Sequence, residues 1–149
     1  MKKNTFADFA ICMARAYEPY RRRITERFSL SAAETDVLMF LANNPEYNTA
    51  AQISKIRMIP KSHVSLAVSS LSEKGLVVKK NGADHRSVCL NISDAAVPIV
   101  DFGRKMQNEF QETLFGGFSV SEKALFDSLH EKMRENLENM KKQNGDQTK

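Results

Sequence analysis

The stretch from Thr49 to Ile92 constrains the fold of this chain most, because its hydrophobic period changes from that of a helix to that of a strand. Thr49-Ala-Ala-Gln52 has the spacing of a capping box, which predicts the start of a short helix. After a turn that contains Pro60, apolar residues recur at helical spacing as far as Gly75, a residue suited to a helix C-terminus. Beyond Gly75 the pattern changes to that of strands, because Val88, Leu90 and Ile92 alternate with Ser87, Cys89 and Asn91. Two helices joined by a turn and followed by a hairpin are therefore expected.

The second of these helices, from Lys61 to Lys74, has two different faces. Its inner face is apolar and consists of Val64, Ala67, Val68 and Leu71. Its outer face carries mostly short side chains: Ser62, Ser65, Leu66, Ser69 and Ser70. A helix that enters the major groove of DNA needs short outward side chains, so that its backbone can approach the base edges, and an apolar stripe that holds it on the protein. This pattern therefore favours DNA recognition.

The predicted strands run from Leu76 to Lys80 and from Arg86 to Ile92, with Asn81-Gly82 in the turn between them. Helix, turn, helix and hairpin in this order are typical of a winged helix-turn-helix. We therefore expect a mainly α fold with a small β-hairpin wing.

An amphipathic helix is also predicted at the N-terminus, beginning near Phe6. Pro19 is expected to bend this helix or end it near Glu18, because proline lacks a backbone donor. Ser31-Ala-Ala-Glu34 is a second capping box and predicts the start of the next helix.

Two more helices are predicted after the hairpin: one begins near Pro98 and ends at Gly116-Gly117, and Ser121 is expected to cap the other. The terminal helices have apolar faces that one small monomer does not easily cover, at Phe6, Phe9, Met13, Leu129, Met133 and Leu137. We therefore expect an obligate dimer. The expected parts are dimerisation helices at 1–30 and 93–142, a DNA-binding lobe at 31–92 and a frayed tail at 143–149.

With 149 residues, the chain has the size of one ordinary domain, which excludes a multidomain enzyme. Its apolar stretches are too short to cross a bilayer, and its first residues do not fit a signal peptide, so we expect a cytoplasmic protein without a membrane partner. Cys12 and Cys89 lack CxxC spacing, which argues against a disulfide framework and a zinc site. Both are expected to be reduced thiols.

The positive charge of the chain is concentrated in one segment. The net charge is +4, and between Ile53 and Arg86 seven Lys and Arg residues stand against two acidic residues, a net charge of +5. A positive stripe of this kind favours binding to the phosphates of nucleic acid.

No pattern in the sequence points to catalysis, a metal or a cofactor. His63, His85 and His130 lie on separate predicted elements, without an HExxH motif, a His/Cys cluster or a nucleophile elbow. We therefore expect a protein that is not an enzyme.

Three motifs, in order and at matching spacing, resemble the MarR family of bacterial transcriptional regulators: Thr49-Ala-Ala-Gln-Ile-Ser, Leu71-Ser-Glu-Lys-Gly-Leu-Val and Asp84-His-Arg-Ser-Val-Cys-Leu. They are similar to the start of the family's helix-turn-helix, the end of its recognition helix and its wing. The resemblance covers nearly the full length and is strongest from Ser31 to Ile92. It implies a homodimer that binds a pseudo-palindromic site on double-stranded DNA, most often as a repressor that a small molecule releases.

The residues expected to bind DNA are those of the outer helix face and the wing: Lys61, Ser62, His63, Ser65, Leu66, Ser69, Ser70, Lys79, Lys80 and Arg86. The resemblance implies that Arg86 enters the minor groove and that Asp84 helps to hold it. Lys79 and Lys80 are expected to contact phosphates. His85 is expected to be exposed or close to a phosphate.

Two residues depart from the family pattern. Pro60 stands where family members usually have an aspartate, which suggests that Pro60 is the first residue of the recognition helix. Leu66 stands where many have an arginine. An arginine can contact guanine through two hydrogen bonds, whereas leucine offers only an apolar contact to a thymine methyl group.

The resemblance also implies a site for a small aromatic or anionic effector. Its candidate lining residues are Met13, Tyr17, Phe40, Met106 and Phe110, with Arg15 or the run Arg21-Arg22-Arg23 as the cation. Met and aromatic residues at helical spacing more often form core than a ligand site, so the core interpretation is favoured for most of them.

Two functions remain open at this point. The first is a dimeric, sequence-specific DNA-binding regulator. The second is a helical dimer that binds a small molecule or a protein partner without recognising DNA, an alternative that Pro60 and Leu66 motivate. DNA binding through several Lys and Arg contacts weakens steeply as the salt concentration rises, so salt dependence distinguishes the two.

Overall fold

A computed structural model describes residues 6–82 and 87–145. Within these ranges the chain forms six α-helices, one short 3₁₀ helix at Asp94–Ala96 and one antiparallel pair of strands. The elements in chain order are α1 (Phe6–Phe28), α2 (Ala32–Asn43), α3 (Ala50–Arg57), α4 (Lys61–Glu73), β1 (Val77–Asn81), β2 (Val88–Ile92), α5 (Val97–Leu114) and α6 (Val120–Gly145). The expected mainly α winged helix-turn-helix is confirmed.

The chain divides into two compact units, and the boundary at Phe110 lies inside α5. The first unit contains one apolar core to which five helices contribute. Its largest fully buried side chains, one from each helix, are Ile24 of α1, Leu38 of α2, Ile53 of α3, Leu71 of α4 and Met106 of α5. Each of these helices is therefore anchored in the core by its apolar face.

The second unit starts at Gln111 and is built around Phe115. The ring of Phe115 meets those of Phe118 and Phe126 edge to face, at centroid distances of 5.4 and 5.1 Å. Lys123 Nζ lies 5.5 Å from the Phe115 ring centre. These aromatic contacts fix the turn between α5 and α6.

Both predicted capping boxes are present. In α2 the Ser31 hydroxyl accepts a hydrogen bond from the Glu34 backbone, and the Glu34 carboxylate accepts one from the Ser31 backbone. Thr49 and Gln52 form the same pair of bonds at the start of α3. Each box satisfies two backbone donors that the helix leaves without partners, which is why these two starts were predictable.

Pro60 occupies a different position from the one expected. It is the N-cap of α4 rather than the first helical residue, and no side chain caps this helix end. The Pro60 carbonyl instead accepts hydrogen bonds from the backbone of His63 and Val64. Met58, in a left-handed conformation with φ 53°, ends α3 and turns the chain towards α4.

Pro19 neither ends nor interrupts α1, which continues to Phe28, so the predicted helix end near Glu18 is wrong. Proline removes one backbone hydrogen bond, but tertiary packing outweighs this local effect because Ile24, five residues later, is fully buried. Ser119, not Ser121, caps α6: its hydroxyl accepts a hydrogen bond from the Glu122 backbone and its backbone donates to the Glu122 carboxylate. The spacing of Ser119 and Glu122 is itself a capping box, a signal available in the sequence.

The hairpin lies close to its predicted position, with Val77 opposite Ile92 and Asn81 opposite Val88. Its strands begin at Val77 and Val88, one and two residues later than predicted. The backbone of Leu90 donates a 2.7 Å hydrogen bond to the Asn48 carbonyl, which attaches the hairpin to the loop before α3.

Helices α2 and α5 approach each other closely at Gly103, where a larger side chain would collide with Met39. A Cβ atom added at Gly103 would overlap Met39 Sδ and lie 2.7 Å from Met39 Cε, and Met39 is only 6% exposed. Gly103→Ala should therefore lower the free energy of unfolding by about 1–2 kcal/mol, even after the gain in helix propensity. Urea unfolding of Gly103→Ala, Met39→Ala and the double mutant measures the effect. Strict additivity of the two substitutions would contradict this contact.

Candidate nucleic-acid interface

The two faces of α4 differ as the sequence predicts. Val64 and Leu71 are fully buried, and Ala67 and Val68 nearly so. The opposite side of the helix is exposed and consists of Lys61, Ser62, His63, Ser65, Leu66 and Ser69. The helix is therefore held rigidly by its apolar side, while small polar side chains face outward.

Ser70 does not lie on this outer face, so that part of the prediction is wrong. Its side chain is half-buried, and its hydroxyl donates a hydrogen bond to the Glu34 carboxylate. The reason is the neighbouring α2, whose first turn brings an acceptor to the last turns of α4.

Glu34 is the centre of a polar cluster that the sequence does not reveal. Its side chain is only 5% exposed, and its carboxylate accepts hydrogen bonds from the Ser31 backbone at 2.6 Å, from Ser70 and from Lys74 Nζ at 3.0 Å. We call these four residues, Ser31, Glu34, Ser70 and Lys74, the Glu34 cluster. Its capping half is predictable, but Lys74 lies 40 residues away from Glu34, and no local pattern indicates that pairing.

Burial by itself would raise the pKa of Glu34. The hydrogen bonds from Lys74, Ser70 and the Ser31 backbone outweigh burial and lower the pKa from 4.5 to about 2. The carboxylate is therefore ionised at neutral pH, with several donors around it.

The Glu34 cluster also reaches the end of α1. Lys74 Nζ donates a 3.3 Å hydrogen bond to the carbonyl of Ser29, a residue with φ 52° just after α1. The C-terminal end of α4 is thereby attached to the junction of α1 and α2. This attachment restricts the direction in which the exposed face of α4 points.

Exposed cations flank α4 in the chain. Lys79 and Lys80 are exposed on β1, and so are Lys55 and Arg57 in α3. Asp84, His85 and Arg86 lie outside the residues that the structure describes, so their expected roles in the wing remain predictions.

The candidate effector residues differ in burial. Phe40 and Met106 are buried in the core, Met13, Tyr17 and Phe110 are half-buried, and Arg15 is exposed. The Phe110 ring meets those of Tyr17 and Tyr20 edge to face, at 5.3 and 5.4 Å. The core interpretation therefore holds for Phe40 and Met106, whereas an aromatic cluster of Tyr17, Tyr20 and Phe110 joins α1 to α5.

Polar groups border this aromatic cluster. Burial raises the pKa of Tyr17, whereas its hydrogen bond to the Gln107 side chain acts in the opposite direction. Gln107 Oε1 accepts a 3.1 Å hydrogen bond from Asn43 Nδ2. These side chains connect α1, α5 and the end of α2.

The arginine run at 21–23 is engaged with acidic residues. Arg21 donates to Asp36 at 2.9 Å and also contacts Glu18, and Arg23 donates to Glu109 at 2.6 Å. Arg22 Nε lies 3.7 Å from Glu26 Oε1. These arginines, which were candidates for the cation of the effector site, therefore form ion pairs within the protein.

Residues 6–82 and 87–145 contain no group of three or more His, Cys, Asp and Glu side chains arranged to hold a metal ion. Within the same ranges, no helix combines the length and the apolar character that crossing a membrane requires. Cys12 is an exposed free thiol and Cys89 a half-buried one.

Several solved structures have a similar fold. One is a MarR family transcriptional regulator from Silicibacter pomeroyi, with 20% identity, coverage of 88% of this chain and 89% of that chain, and a TM-score of 0.74. A putative MarR family transcriptional regulator from Listeria monocytogenes, complexed with 26mer DNA, has 15% identity, coverage of 91% and 89%, and a TM-score of 0.75. MepR of S. aureus, in a complex with DNA, has 17% identity, coverage of 92% and 99%, and a TM-score of 0.71.

At the level of sequence, similarity to known proteins covers a shorter part of the chain than the structural similarity does. No curated protein matches it, but the MarR family profile matches residues 28–87. That segment begins at the end of α1 and includes α2, α3, α4 and β1. Residues 28–87 are therefore similar to the MarR family, and the chain has the winged helix-turn-helix fold of the solved MarR proteins.

Proposed function

We propose that this chain is a homodimeric, sequence-specific DNA-binding transcriptional regulator whose α4 enters the major groove. The observation that carries the proposal is the contrast between the faces of α4: fully buried Val64 and Leu71 on one side, exposed serines on the other. This combination gives a rigid helix whose backbone can approach base edges. The exposed cations Lys61, Lys79 and Lys80 supply phosphate contacts on either side.

Two structural neighbours support this function. The Listeria monocytogenes protein and MepR of S. aureus were both solved with DNA, and both share the fold over about nine-tenths of this chain. In the proposed complex, Arg86 enters the minor groove beside the site that α4 reads, and Asp84 holds it.

Dimerisation is the second part of the proposal. Near the start of α1, Phe6 is 73% exposed and Phe9 48%. Within α6, Leu125, Leu129 and Leu137 are all about half exposed or more. Apolar faces of this extent are typical of interfaces, and a second copy of the same chain covers both. A two-fold dimer then reads two half-sites about one helical turn of DNA apart.

The third part concerns regulation: the protein acts as a repressor that a small aromatic or anionic effector releases. The aromatic cluster of Tyr17, Tyr20 and Phe110, with the Tyr17 hydroxyl and Gln107 as polar groups, supports a site for such a compound. A ligand between α1 and α5 would change the spacing of the two DNA-binding lobes and so weaken operator binding.

Selection of binding sites from random duplex DNA tests the function. We expect an enriched pseudo-palindrome whose affinity falls steeply between about 50 and 200 mM salt, as required for several phosphate contacts. The alternative function, a helical dimer that binds a small molecule or protein without DNA recognition, predicts no enriched sequence.

Substitutions in the wing distinguish general attraction to DNA from recognition of a particular DNA sequence. Lys79→Ala or Lys80→Ala should weaken binding to all sequences together and reduce the salt dependence by about one ion, because each removes a phosphate contact. Arg86→Ala should weaken binding to the selected site by about 1–3 kcal/mol, with dimerisation and helical content unchanged. Titration of the selected site and of a scrambled duplex measures both effects. Equal operator affinity of Arg86→Ala and wild type would refute the proposed role of Arg86.

A further inference from the structure

The structure describes α4 in full, and Leu66 is the one large apolar residue on its exposed face. Its side chain is 70% exposed, although the other apolar residues of the helix, such as Val64 and Leu71, are fully buried. Single exposed leucines are common on protein surfaces. The surroundings of this leucine therefore have to show whether it has a role.

No apolar side chain of α4 covers Leu66. The residues three and four positions away on a helix are its neighbours on the surface, and here they are Ser62, His63, Ser69 and Ser70. Ser70 is turned towards Glu34, and the two other serines have short side chains. Leu66 therefore projects beyond the serine-lined surface around it.

Exposed cations in the elements that precede and follow α4 in the chain favour DNA as the partner of Leu66. Exposed cations precede it in α3 and at the start of α4, at Lys55 and Lys61, and follow it on β1, at Lys79 and Lys80. An apolar protein partner would gain little from these cations, whereas DNA phosphates are complementary to them.

The chemistry of leucine then restricts what it can recognise. It has neither a donor nor an acceptor, and the major-groove edges of the four base pairs differ in only one apolar feature, the C5 methyl group of thymine. Leu66 lies in the second turn of α4, within the N-terminal half that contacts base edges in helix-turn-helix proteins.

We propose that Leu66 determines specificity by contacting the C5 methyl group of one pyrimidine in each half-site. The partner is thymine, and 5-methylcytosine carries the same methyl group at the same place. This inference rests on the proposed function, because it requires α4 to lie in the major groove.

Uracil provides the test, because it has the hydrogen-bonding groups of thymine without the methyl group. Each thymine of the selected site is replaced in turn by uracil, and dissociation constants are measured for wild type, Leu66→Ala and the matched control Ser65→Ala. For wild type, uracil at one position of each half-site should weaken binding about fourfold per half-site, the factor expected for one buried methyl group. Ser65→Ala should keep this difference, and Leu66→Ala should lose it.

Two further measurements extend the test. At the position that uracil identifies, a 5-methylcytosine–guanine pair should bind wild type better than the cytosine–guanine pair, and Leu66→Ala should bind both equally. Leu66→Arg should shift the selected base at that position towards guanine and steepen the salt dependence by about one ion. Circular dichroism and light scattering verify that the variants keep their helices and oligomeric state.

The outcomes separate the inference from the function on which it rests. If wild type binds thymine and uracil equally at every position, or if Leu66→Ala keeps the full difference, the role of Leu66 is overturned and DNA binding stands. If selection enriches no sequence, the proposed function is overturned and the role of Leu66 with it.

Discussion

Glu34→Ala is expected to lower the free energy of unfolding on the order of 3 kcal/mol at pH 7, an effect large enough to threaten the fold. The substitution leaves Lys74 without its carboxylate and removes the acceptor of Ser70 and of the Ser31 backbone. Urea unfolding at one fixed protein concentration measures the effect, because the stability of the proposed dimer would depend on concentration. The control is Glu46→Ala in the exposed loop after α2, which should change stability by less than about 0.5 kcal/mol.

The pH dependence of stability tests the charge of Glu34 separately. Because folding lowers the pKa of this group from 4.5 to about 2, its ionisation stabilises the fold fully above pH 4.5, and this contribution is lost as the pH falls towards 2. Glu34→Gln keeps an acceptor for the capping box and for Ser70 but cannot ionise. The difference in stability between wild type and Glu34→Gln should therefore be largest near neutral pH and shrink below pH 4.5. A difference that stays constant down to pH 2 would show that the charge of Glu34 contributes nothing.

Leu129→Glu combined with Leu137→Glu should dissociate the dimer and reduce operator affinity on the order of 100-fold or more. The two leucines lie eight residues apart on one side of α6 and are 49% and 58% exposed. If a second copy covers them, each glutamate places a charge in an apolar interface, and a monomer binds only one half-site. Light scattering and titration of the operator measure the two effects in the same samples.

A matched control comes from the same helix. Ser128→Glu introduces the same charge about 100° around the helix from Leu129, and it should leave both the mass and the operator affinity unchanged. A double mutant that remains dimeric would place the interface elsewhere. A wild-type protein that scatters light as a monomer of 16.8 kDa at micromolar concentration would contradict the dimer itself.

The sequence determined those features that depend on neighbouring residues. The capping boxes at Ser31 and Thr49 were predictable because each is complete within four residues. The division of α4 into a buried and an exposed face follows from helical periodicity alone, and Leu66 was identified as an outward residue on that basis. The alternation of Val88, Leu90 and Ile92 with the residues between them, after a turn at Asn81-Gly82, indicated the hairpin within two residues of its observed bounds.

Tertiary structure decided the features in which distant segments compete with local preference. Pro19 remains inside α1 because the helix continues into the core at Ile24, and packing there outweighs one lost hydrogen bond. Ser70 has the helical position of an outward residue, but it turns towards Glu34, 36 residues earlier in the chain, because a buried carboxylate needs donors. Lys74 contacts the same carboxylate from 40 residues away. Local patterns fix where helices begin and which side is apolar, whereas the partners of buried charged groups depend on how the helices pack, which no local pattern contains.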